Sequence, residues 1–480
     1  MKFTVLSHAS MLVECDGKKL VTDPWLFGSC YWRSWWNFPE ADSELLENLR
    51  PDYLYITHLH WDHFHGPSIR KLKKMNENMK VIIPKLHTVR MVEDLIDCNI
   101  PMQDIIEICH GESFNVTDKF KLFSYQFGFD NDSALVITDG KHNLLDMNDC
   151  KMFGFPLNQI KNRFRTFDFV FRSHSNAQYM PYCFKDRKTH FDDLRTDYDY
   201  ASDFTHLNIS VNAKWAIPFA SNHCYLHKDT TQYNDTVVTP DRVAHYYNLF
   251  TKKNQIDSEC KVMSPGSSWS DKQGFNIINF DYNNKESIQN EMSTKYKQKI
   301  EKMYKREEKT VFSYVLLERY FLSFFRDLPL IFCRKDLRFI FKTIDTNGEH
   351  YCLVDFWNKK ITKLSAPTPD DVIIEIPVLV LNQCVAKRMW NVLGPSKRLL
   401  VDLRNNHKKR LNTVVYGLEL LNLYDMDYFP LSKELTSRAL TSRMRRWREA
   451  LEFLRYIFIY RICGNRLITR NLWPINNAIK

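Results

Sequence analysis

The fold of this chain is decided by the stretch Thr57-His58-Leu59-His60-Trp61-Asp62-His63. It follows the apolar run 53–56, which predicts a buried strand. Side chains two positions apart share one face of a strand, so His58 and His60 are expected to point the same way. The turn that follows brings Asp62 and His63 to a second point of the same cleft. Imidazole and carboxylate are ligands of zinc, iron and manganese, so the stretch predicts a metal site.

The rest of the sequence predicts an α/β protein with more than one domain. Strand-like runs alternate first with turns, such as Asp16-Gly17, and then with helix-like segments over residues 1–285. Residues 286–309 are dense in Lys, Glu, Gln and Asn, which predicts a charged helical linker. Residues 310–480 carry strand patterns and a long helix, which predicts a smaller, mixed α+β C-terminal domain.

Composition narrows the protein class. The chain has 480 residues, 44% of them hydrophobic, and only 13 Gly, so it is long enough for two or three folded domains and is not fibrous. The net charge of +10 fits an anionic substrate, a membrane surface or nucleic acid. No nucleic-acid-binding module is recognisable, so nucleic acid is not expected as a partner.

The cysteines exclude several metal-cofactor classes for this chain. None of the 12 cysteines forms a C-x-x-C pair, so neither a zinc ribbon nor a Rieske iron–sulfur cluster is expected. The N-terminus lacks the pattern of a secretory signal, and the longest apolar stretch, 311–332, contains four charged residues. A cytoplasmic protein with reduced thiols is therefore expected.

Several segments around the histidine cluster support a family resemblance. They are Thr22-Asp23-Pro24-Trp25-Leu26-Phe27-Gly28, Trp35-Trp36, Met147-Asn148-Asp149-Cys150 and Ile217-Pro218-Phe219-Ala220. Together with the cluster, they resemble the metallo-β-lactamase superfamily and, within it, the CMP-N-acetylneuraminate hydroxylases. A looser similarity is to the ascorbate-phosphate lactonases. The resemblance implies an αββα sandwich over residues 1–285, with metals at the ends of its sheets.

The resemblance also implies a set of metal ligands. His58 and His60 match the ligands of one metal, and Asp62 and His63 match those of a second. Asp149 matches the aspartate that bridges the two metals. The last family histidine matches His227, with His223 as the rival.

One position departs from the family pattern. The loop 127–132 lacks the family's histidine, and the nearest replacement is Asp130. His174, at the end of a strand, is a further possible ligand. The resemblance therefore implies one or two divalent ions, with iron favoured and zinc or manganese as alternatives. His8 is expected to pack beneath the first hairpin, with contact to the site as the alternative.

Three functions remain open. The first is iron-dependent oxygenation, as by a monooxygenase, of a nucleotide-activated sugar or similar anionic metabolite. Without a Rieske domain, its electrons would come from a separate donor protein. The second is zinc- or manganese-dependent hydrolysis of a phosphoester, lactone or amide, with Asp62 as second-metal ligand or general base. The third is a degenerate member that binds a ligand without catalysis.

Two further segments, the Trp35-Trp36 pair and the stretch 432–461, each have a structural and a functional interpretation. Trp35 and Trp36 are expected either to anchor the core or to form the floor of a substrate pocket. Residues 432–461 predict one long helix with an apolar stripe and several arginines. That helix either docks on the core with a solvated basic face, or contacts a membrane surface or an acidic partner.

Overall fold

The structure is a computed structural model that describes residues 1–128, 132–185, 195–405, 408–452 and 454–455. The strands, in chain order, are β1 (Lys2–Val5), β2 (Met11–Cys15), β3 (Lys18–Thr22), β4 (Ser29–Cys30), β5 (Trp35–Asn37), β6 (Tyr53–Tyr55), β7 (Lys80–Pro84), β8 (Ile105–Ile108), β9 (Ser113–Asn115), β10 (Lys121–Phe127), β11 (Asp132–Thr138), β12 (Asn143–Asn148), β13 (Phe167–Ser173), β14 (Ala213–Phe219), β15 (His223–Tyr225), β16 (Glu259–Cys260), β17 (Ser268–Ser270), β18 (Gly274–Asn276), β19 (Arg338–Asp345), β20 (Gly348–Asp355), β21 (Lys360–Leu364), β22 (Ile373–Glu375) and β23 (Leu400–Asp402).

The α-helices, in the same order, are α1 (Ser43–Glu47), α2 (Gly66–Met75), α3 (Arg90–Asp97), α4 (Gly154–Phe164), α5 (Asp197–Ser210), α6 (Pro240–Lys253), α7 (Lys285–Glu308), α8 (Tyr314–Asp327), α9 (Val378–Lys387), α10 (Trp390–Ser396), α11 (Lys408–Asp425), α12 (Leu431–Glu434) and α13 (Ser437–Arg445).

Two large sheets form the centre of the first 285 residues. Their strand orders, within the described residues, are β18-β17-β1-β2-β3-β6-β7-β8 and β16-β14-β13-β12-β11-β10-β9. Buried side chains from both sheets, among them Phe3 and Phe171, form one apolar cluster between them. Helices α2 and α3 cover the first sheet through Ile69 and Leu95, and α4 and α5 cover the second. The predicted αββα sandwich is confirmed.

The strand directions bring several loops to one edge of the sandwich. Strands β3, β6, β7 and β8 are parallel, as are β12, β13, β14 and β16. Strand β1 is antiparallel to β2, which is antiparallel to β3, so β1 runs in the same direction as β6. Parallel strands end at the same edge of a sheet. The loops after β1, β6, β12, β13 and β14 therefore lie near one another.

A small third sheet holds the aromatic loop against this edge. Within the described residues it consists of β15-β5-β4, and it pairs His223 with Asn37 and Tyr225 with Trp35. This pairing places a tryptophan of β5 beside a histidine of β15.

The charged segment that was predicted as a linker forms the helix α7. One side of this helix is buried, because Met292 and Ile300 join an apolar cluster with Trp36 and Cys224. Its last turn contributes Glu307, which contacts Arg398 of the C-terminal part. The segment therefore packs on both neighbouring regions.

The C-terminal part is built on a further sheet, with the order β21-β20-β19-β22-β23 within the described residues. Helices α8 to α11 pack on it. Its core is continuous with the aromatic loop, since one apolar cluster contains Trp25 and Tyr31 together with Phe321 and Phe339. The predicted combination of helices and strands in this part is confirmed.

The predicted long helix over 432–461 is wrong in two respects. It is interrupted around Leu435 and Thr436, where Thr436 caps α13 by accepting a hydrogen bond from the Ala439 amide. Its apolar stripe does not dock on the core. The stripe is 47–72% exposed and comprises Leu440, Met444, Trp447, Leu451 and Leu454.

The arginines of this segment contact the sandwich instead. Arg438 pairs with Glu107, Arg445 pairs with Glu112, and Arg446 donates to the Gly128 carbonyl oxygen. Residues beyond 455 lie outside the described range. Contact with a membrane surface or an acidic partner stays a prediction. Among the described residues, no helix is both long enough and apolar enough to cross a bilayer.

Candidate metal centre

Two groups of potential metal ligands meet at the edge where the strands end. The first comprises His58, His60 and Asp149, and the second comprises His8, Asp62 and His63. Within each group, the ligand atoms lie within 4.8 Å of one another. Asp149 also reaches the second group, since its Oδ2 lies 3.5 Å from His63 Nε2. The arrangement is that of two adjacent sites joined by one carboxylate.

Local backbone geometry aims the ligands. The turn after β6 is closed by hydrogen bonds from the His63 and Phe64 amides to the His60 carbonyl oxygen. At the end of β12, the pairing with β13 shifts register between Asp146 and Asn148, and Asn148 has a φ of +45°. Such a bulge redirects the next side chain, here that of Asp149.

Asp23 orients His63. Its Oδ2 lies 2.8 Å from His63 Nδ1, and the same carboxylate accepts hydrogen bonds from the Thr57 amide at 2.8 Å and the Thr57 hydroxyl at 2.7 Å. With Nδ1 held by Asp23, His63 Nε2 faces Asp62 and Asp149, at 3.5 Å from each. A carboxylate behind a ligating histidine fixes its tautomer and raises its basicity.

The electrostatics of the site favour charge-neutral imidazole at His58. Burial and the charge of His63 lower the pKa of His58 to about 4, so this ring is unprotonated at neutral pH. Burial opposes the ionisation of Asp62, but the charge and hydrogen bond of His63 and the hydrogen bond of His8 outweigh it and hold the pKa of Asp62 well below its usual range. An unprotonated imidazole and an ionised carboxylate are the forms that bind metals.

Unsatisfied polar atoms test whether a metal fits here. Among the described residues, several buried ring nitrogens have no hydrogen-bond partner, namely His8 Nδ1, His63 Nε2, His174 Nε2 and His223 Nδ1. A buried polar atom without a partner is costly. A divalent cation held by His63, Asp62 and Asp149 would give His63 Nε2 the partner that it lacks. Its positive charge would balance the two buried carboxylates. The residues therefore fit one or two metal ions.

His8 belongs to the site, contrary to the expectation that it packs beneath the first hairpin. Its Nε2 lies 3.1 Å from Asp62 Oδ2, and both side chains are buried. The prediction was wrong because it considered only the hairpin itself. The directions of β1 and β6, which follow from the pairing of the whole sheet, bring His8 to the ligand edge.

His227 is not part of either of these two groups. It forms a third group with Asp229 and Glu307, whose ligand atoms also lie within 4.8 Å of one another, so its role as a metal ligand stays a prediction. Its Nε2 lies 3.3 Å from Glu307 Oε2, and its ring packs on Tyr304. The rival His223 is nearer, with its ring 5.7 Å from that of His8. The two histidines are only four residues apart, but the pairing of β15 with β5 holds His223 inward.

The remaining candidate ligands have different positions. His174 is buried, its Nδ1 lies 3.3 Å from the Phe219 carbonyl oxygen, and burial lowers its pKa to about 3. It is outside both groups, although its orphaned Nε2 is available to a ligand. Asp130 lies outside the described residues.

Trp35 and Trp36 are core residues, so their prediction as substrate contacts is corrected. Each is 1% exposed. Trp35 stacks on His223 with ring centroids 3.6 Å apart, and Trp36 stacks on Tyr296 at 4.1 Å. Tyr31, which sequence reasoning missed, donates a hydrogen bond of 2.5 Å to Asp62 Oδ1. Its position next to the tryptophans in the aromatic loop was the only sequence signal.

Comparison with known proteins agrees with this geometry. Residues 2–140 match the family model described as a beta-lactamase superfamily domain. The chain contains a β-lactamase superfamily domain. The match includes His8 and the whole histidine cluster.

Curated relatives of this β-lactamase superfamily domain are hydroxylases by name. Cytidine monophosphate-N-acetylneuraminic acid hydroxylase of Pan troglodytes is 29% identical over 154 residues, which are 31% of this chain and 26% of the relative. The Xenopus laevis enzyme is 28% identical over 164 residues, which are 34% of this chain and 25% of the relative. The resemblance to the hydroxylase branch is confirmed. The chain matches only about a quarter of the length of these relatives.

Among solved structures, the isothiocyanate hydrolase from Delia radicum gut bacteria aligns with a TM-score of 0.40 and 14% identity, covering 56% of this chain and 99% of that chain. The family match and the paired ligand groups together support a metal-dependent enzyme of the β-lactamase superfamily.

Proposed function

We propose that the protein is an iron-dependent oxygenase of a nucleotide-activated sugar or a similar anionic metabolite. The observation that carries the proposal is the pair of histidine–carboxylate groups joined by Asp149. Mixed imidazole and carboxylate ligation suits non-haem iron. The names of the curated relatives, which are hydroxylases of a cytidine monophosphate sugar, supply the substrate class.

Two groups of residues support the binding of two metal ions. His58, His60 and Asp149 would hold one, and His8, Asp62 and His63 the other. When bound, iron supplies the redox chemistry that dioxygen requires, whereas zinc supplies an acidified water. Asp149 is the carboxylate that would be within reach of both groups.

The side chains around the ligands have supporting roles. Asp23 keeps His63 in the tautomer that leaves Nε2 free for a metal. Burial, together with the charge of Asp62, raises the pKa of Tyr31 well above its usual range, so its hydroxyl stays protonated and donates to Asp62. Asp62 Oδ2 lies 3.1 Å from His8 Nε2 and 3.5 Å from His63 Nε2, the other members of its group, and its Oδ1 accepts from Tyr31. We therefore assign Asp62 the role of a ligand rather than that of a general base.

The proposed reaction requires electrons from outside this chain. A monooxygenation consumes two electrons in addition to those of the substrate, and the sequence contains no Rieske-type cysteine–histidine pattern. We therefore propose a separate electron-donor protein as a partner. The basic C-terminal segment fits an acidic donor less well than its composition suggests, because Arg438 and Arg445 are already paired.

Metal analysis tests the proposal. Protein purified without chelators, once with and once without air, is expected to contain two irons per chain and to change its visible absorption when dioxygen is added. His60→Ala should lose at least one iron, whereas His206→Ala, on α5 away from the site, should retain both. Zinc that is indifferent to dioxygen would refute the oxygenase and leave the hydrolase, and no stoichiometric metal would leave the non-catalytic member.

A further inference from the structure

A large cleft lies beside the candidate metal centre. Its volume is about 1030 Å³, which is at the upper end of the range for small-molecule sites. One wall is formed by the aromatic loop, α2 and α3, and the opposite wall is formed by α7 and α9. Leu59 and Trp61 of the histidine cluster line this cleft, as does Tyr31, which donates to Asp62, so the cleft neighbours the candidate ligands through these residues.

The cleft has an excess of positive charge. Its cationic side chains are Arg33, Arg70, Arg90, Arg306, Lys387 and Arg388, and its acidic ones are Glu93, Asp94 and Asp97. Arg90 pairs with Asp94, and Arg388 pairs with Asp427. Among the described residues, no carboxylate lies within 4.0 Å of the other four cationic groups. Four cations are therefore available to a ligand.

Arg33 is the most informative of these cations. Its side chain is half-buried, and within the described part of the chain its guanidinium makes one hydrogen bond, from Nη1 to the Ser29 hydroxyl at 3.0 Å. Burial lowers its pKa, and no neighbouring carboxylate counters this effect. Partial burial of a guanidinium without an anionic partner is unfavourable in free energy, because the charge loses water. A bound phosphate or carboxylate would offset this loss by charge-assisted hydrogen bonds.

The same cleft offers aromatic surface. Trp61 is half-buried and lines it, and the buried Trp32, which is 6% exposed, supports Trp61 with ring centroids 4.9 Å apart and planes inclined by 53°. The indole nitrogen of Trp32 donates to Gln383 Oε1 at 2.8 Å, which holds this ring in place. A fixed aromatic face next to guanidinium groups binds a planar neutral ring that is attached to an anionic group.

One strained turn connects the cleft with the metal centre. Tyr31, Trp32 and Arg33 have φ values of +51°, +55° and +65°, three consecutive non-glycine residues in the left-handed region. Each such residue costs on the order of 1–2 kcal/mol. The turn directs Tyr31 to Asp62, places Trp32 in the wall and presents Arg33 to the ligand. Strain of this kind is retained where a site requires it.

We propose that this cleft binds a nucleoside phosphate, with its phosphate on Arg33 and Arg70 and its base against Trp61. The inference deepens the proposed function, on whose substrate class it rests, by locating the nucleotide part of that substrate. Binding itself requires no electron donor and no turnover, so it is measured separately from the reaction.

Calorimetric titration of the full chain tests the inference with CMP, AMP, cytidine and inorganic phosphate. We expect both nucleotides to bind, and cytidine and phosphate to bind at least about tenfold more weakly, since each lacks one of the two contacts. Arg33→Gln and Arg70→Gln should each weaken CMP binding by about tenfold. Arg319→Gln, an exposed arginine of α8 outside the cleft, should leave it unchanged.

Lys387→Gln provides a variant at an exposed position of the cleft that does not disturb the core. It should weaken CMP binding several-fold while the metal content stays that of the wild type. Equal affinity for phosphate and CMP, or CMP binding that is unaffected in all three variants, would overturn the inference. Failure of nucleotide binding in protein whose iron still responds to dioxygen would remove the cleft assignment and leave the oxygenase proposal standing.

Discussion

Replacing Arg398 with Met is expected to destabilise the protein by about 3–5 kcal/mol. Arg398 is 1% exposed and lies where three parts of the chain meet. Its Nη2 lies 2.8 Å from Glu307 Oε1 of α7 and 2.9 Å from Asp229 Oδ2, and its Nη1 lies 3.3 Å from the Trp32 carbonyl oxygen. Methionine replaces the aliphatic stem of the arginine but is shorter and provides no charge and no donor.

The magnitude follows from what the substitution leaves behind. The Glu307 side chain is 13% exposed, so removal of its partner strands a largely buried carboxylate, with only His227 still in contact. The Asp229 side chain is 40% exposed and regains water, so its share is small. The Trp32 carbonyl loses one hydrogen bond, worth about 1 kcal/mol. Most of the loss is therefore assigned to Glu307.

Urea unfolding, followed by circular dichroism and tryptophan fluorescence, measures the loss. The double variant Arg398→Met with Glu307→Gln removes the stranded charge and should recover at least about 1 kcal/mol relative to the single variant. Arg319→Met, at an exposed position of α8, serves as the control and should change stability by less than about 0.5 kcal/mol. A single variant within about 1 kcal/mol of the wild type, or no recovery in the double variant, would refute this reasoning.

Three further substitutions test other parts of the structure. His8→Ala should reduce the metal content, measured by mass spectrometry, from two ions per chain to one, since the group around Asp149 is left intact; unchanged content would exclude His8 as a ligand. Asp425→Asn should flatten the pH dependence of stability. Burial raises the pKa of Asp425 to about 7 in the folded protein, so the wild type loses stability as the pH rises from about 4 to about 8. This loss is about 4 kcal/mol at most, and the Asn variant should not show it. Gly417→Ala should cost about 1–3 kcal/mol in thermal unfolding, because a Cβ there would lie 2.5 Å from Phe339 Cε1; an unchanged melting temperature would show that this contact relaxes freely.

The sequence by itself determined the features that depend on near neighbours in the chain. The apolar run 53–56 predicted β6, and strand-like runs over residues 1–285 predicted an α/β arrangement of strands and helices. The grouping of His58, His60, Asp62 and His63 was visible because all four lie within six positions after one strand. Local spacing decides such contacts, since a strand and the turn after it hold their side chains in a regular arrangement.

Only the tertiary structure decided which distant residues complete the site. His8 joins Asp62 because β1 and β6 run in the same direction, and His223 rather than His227 turns inward because β15 pairs with β5. That Trp32 and Trp35 are buried whereas Trp61 stays half-exposed in the cleft likewise follows from the packing of the C-terminal part on the aromatic loop.

The exposed apolar stripe near the C-terminus has the same explanation. Helical periodicity predicted a stripe but not its orientation, which depends on where the arginines find carboxylates on the sandwich, as Arg438 finds Glu107. Period and composition specify which side chains share a face. The partner of that face is set by strand pairing and by charges that are far away in sequence, and for this reason only the folded structure shows it.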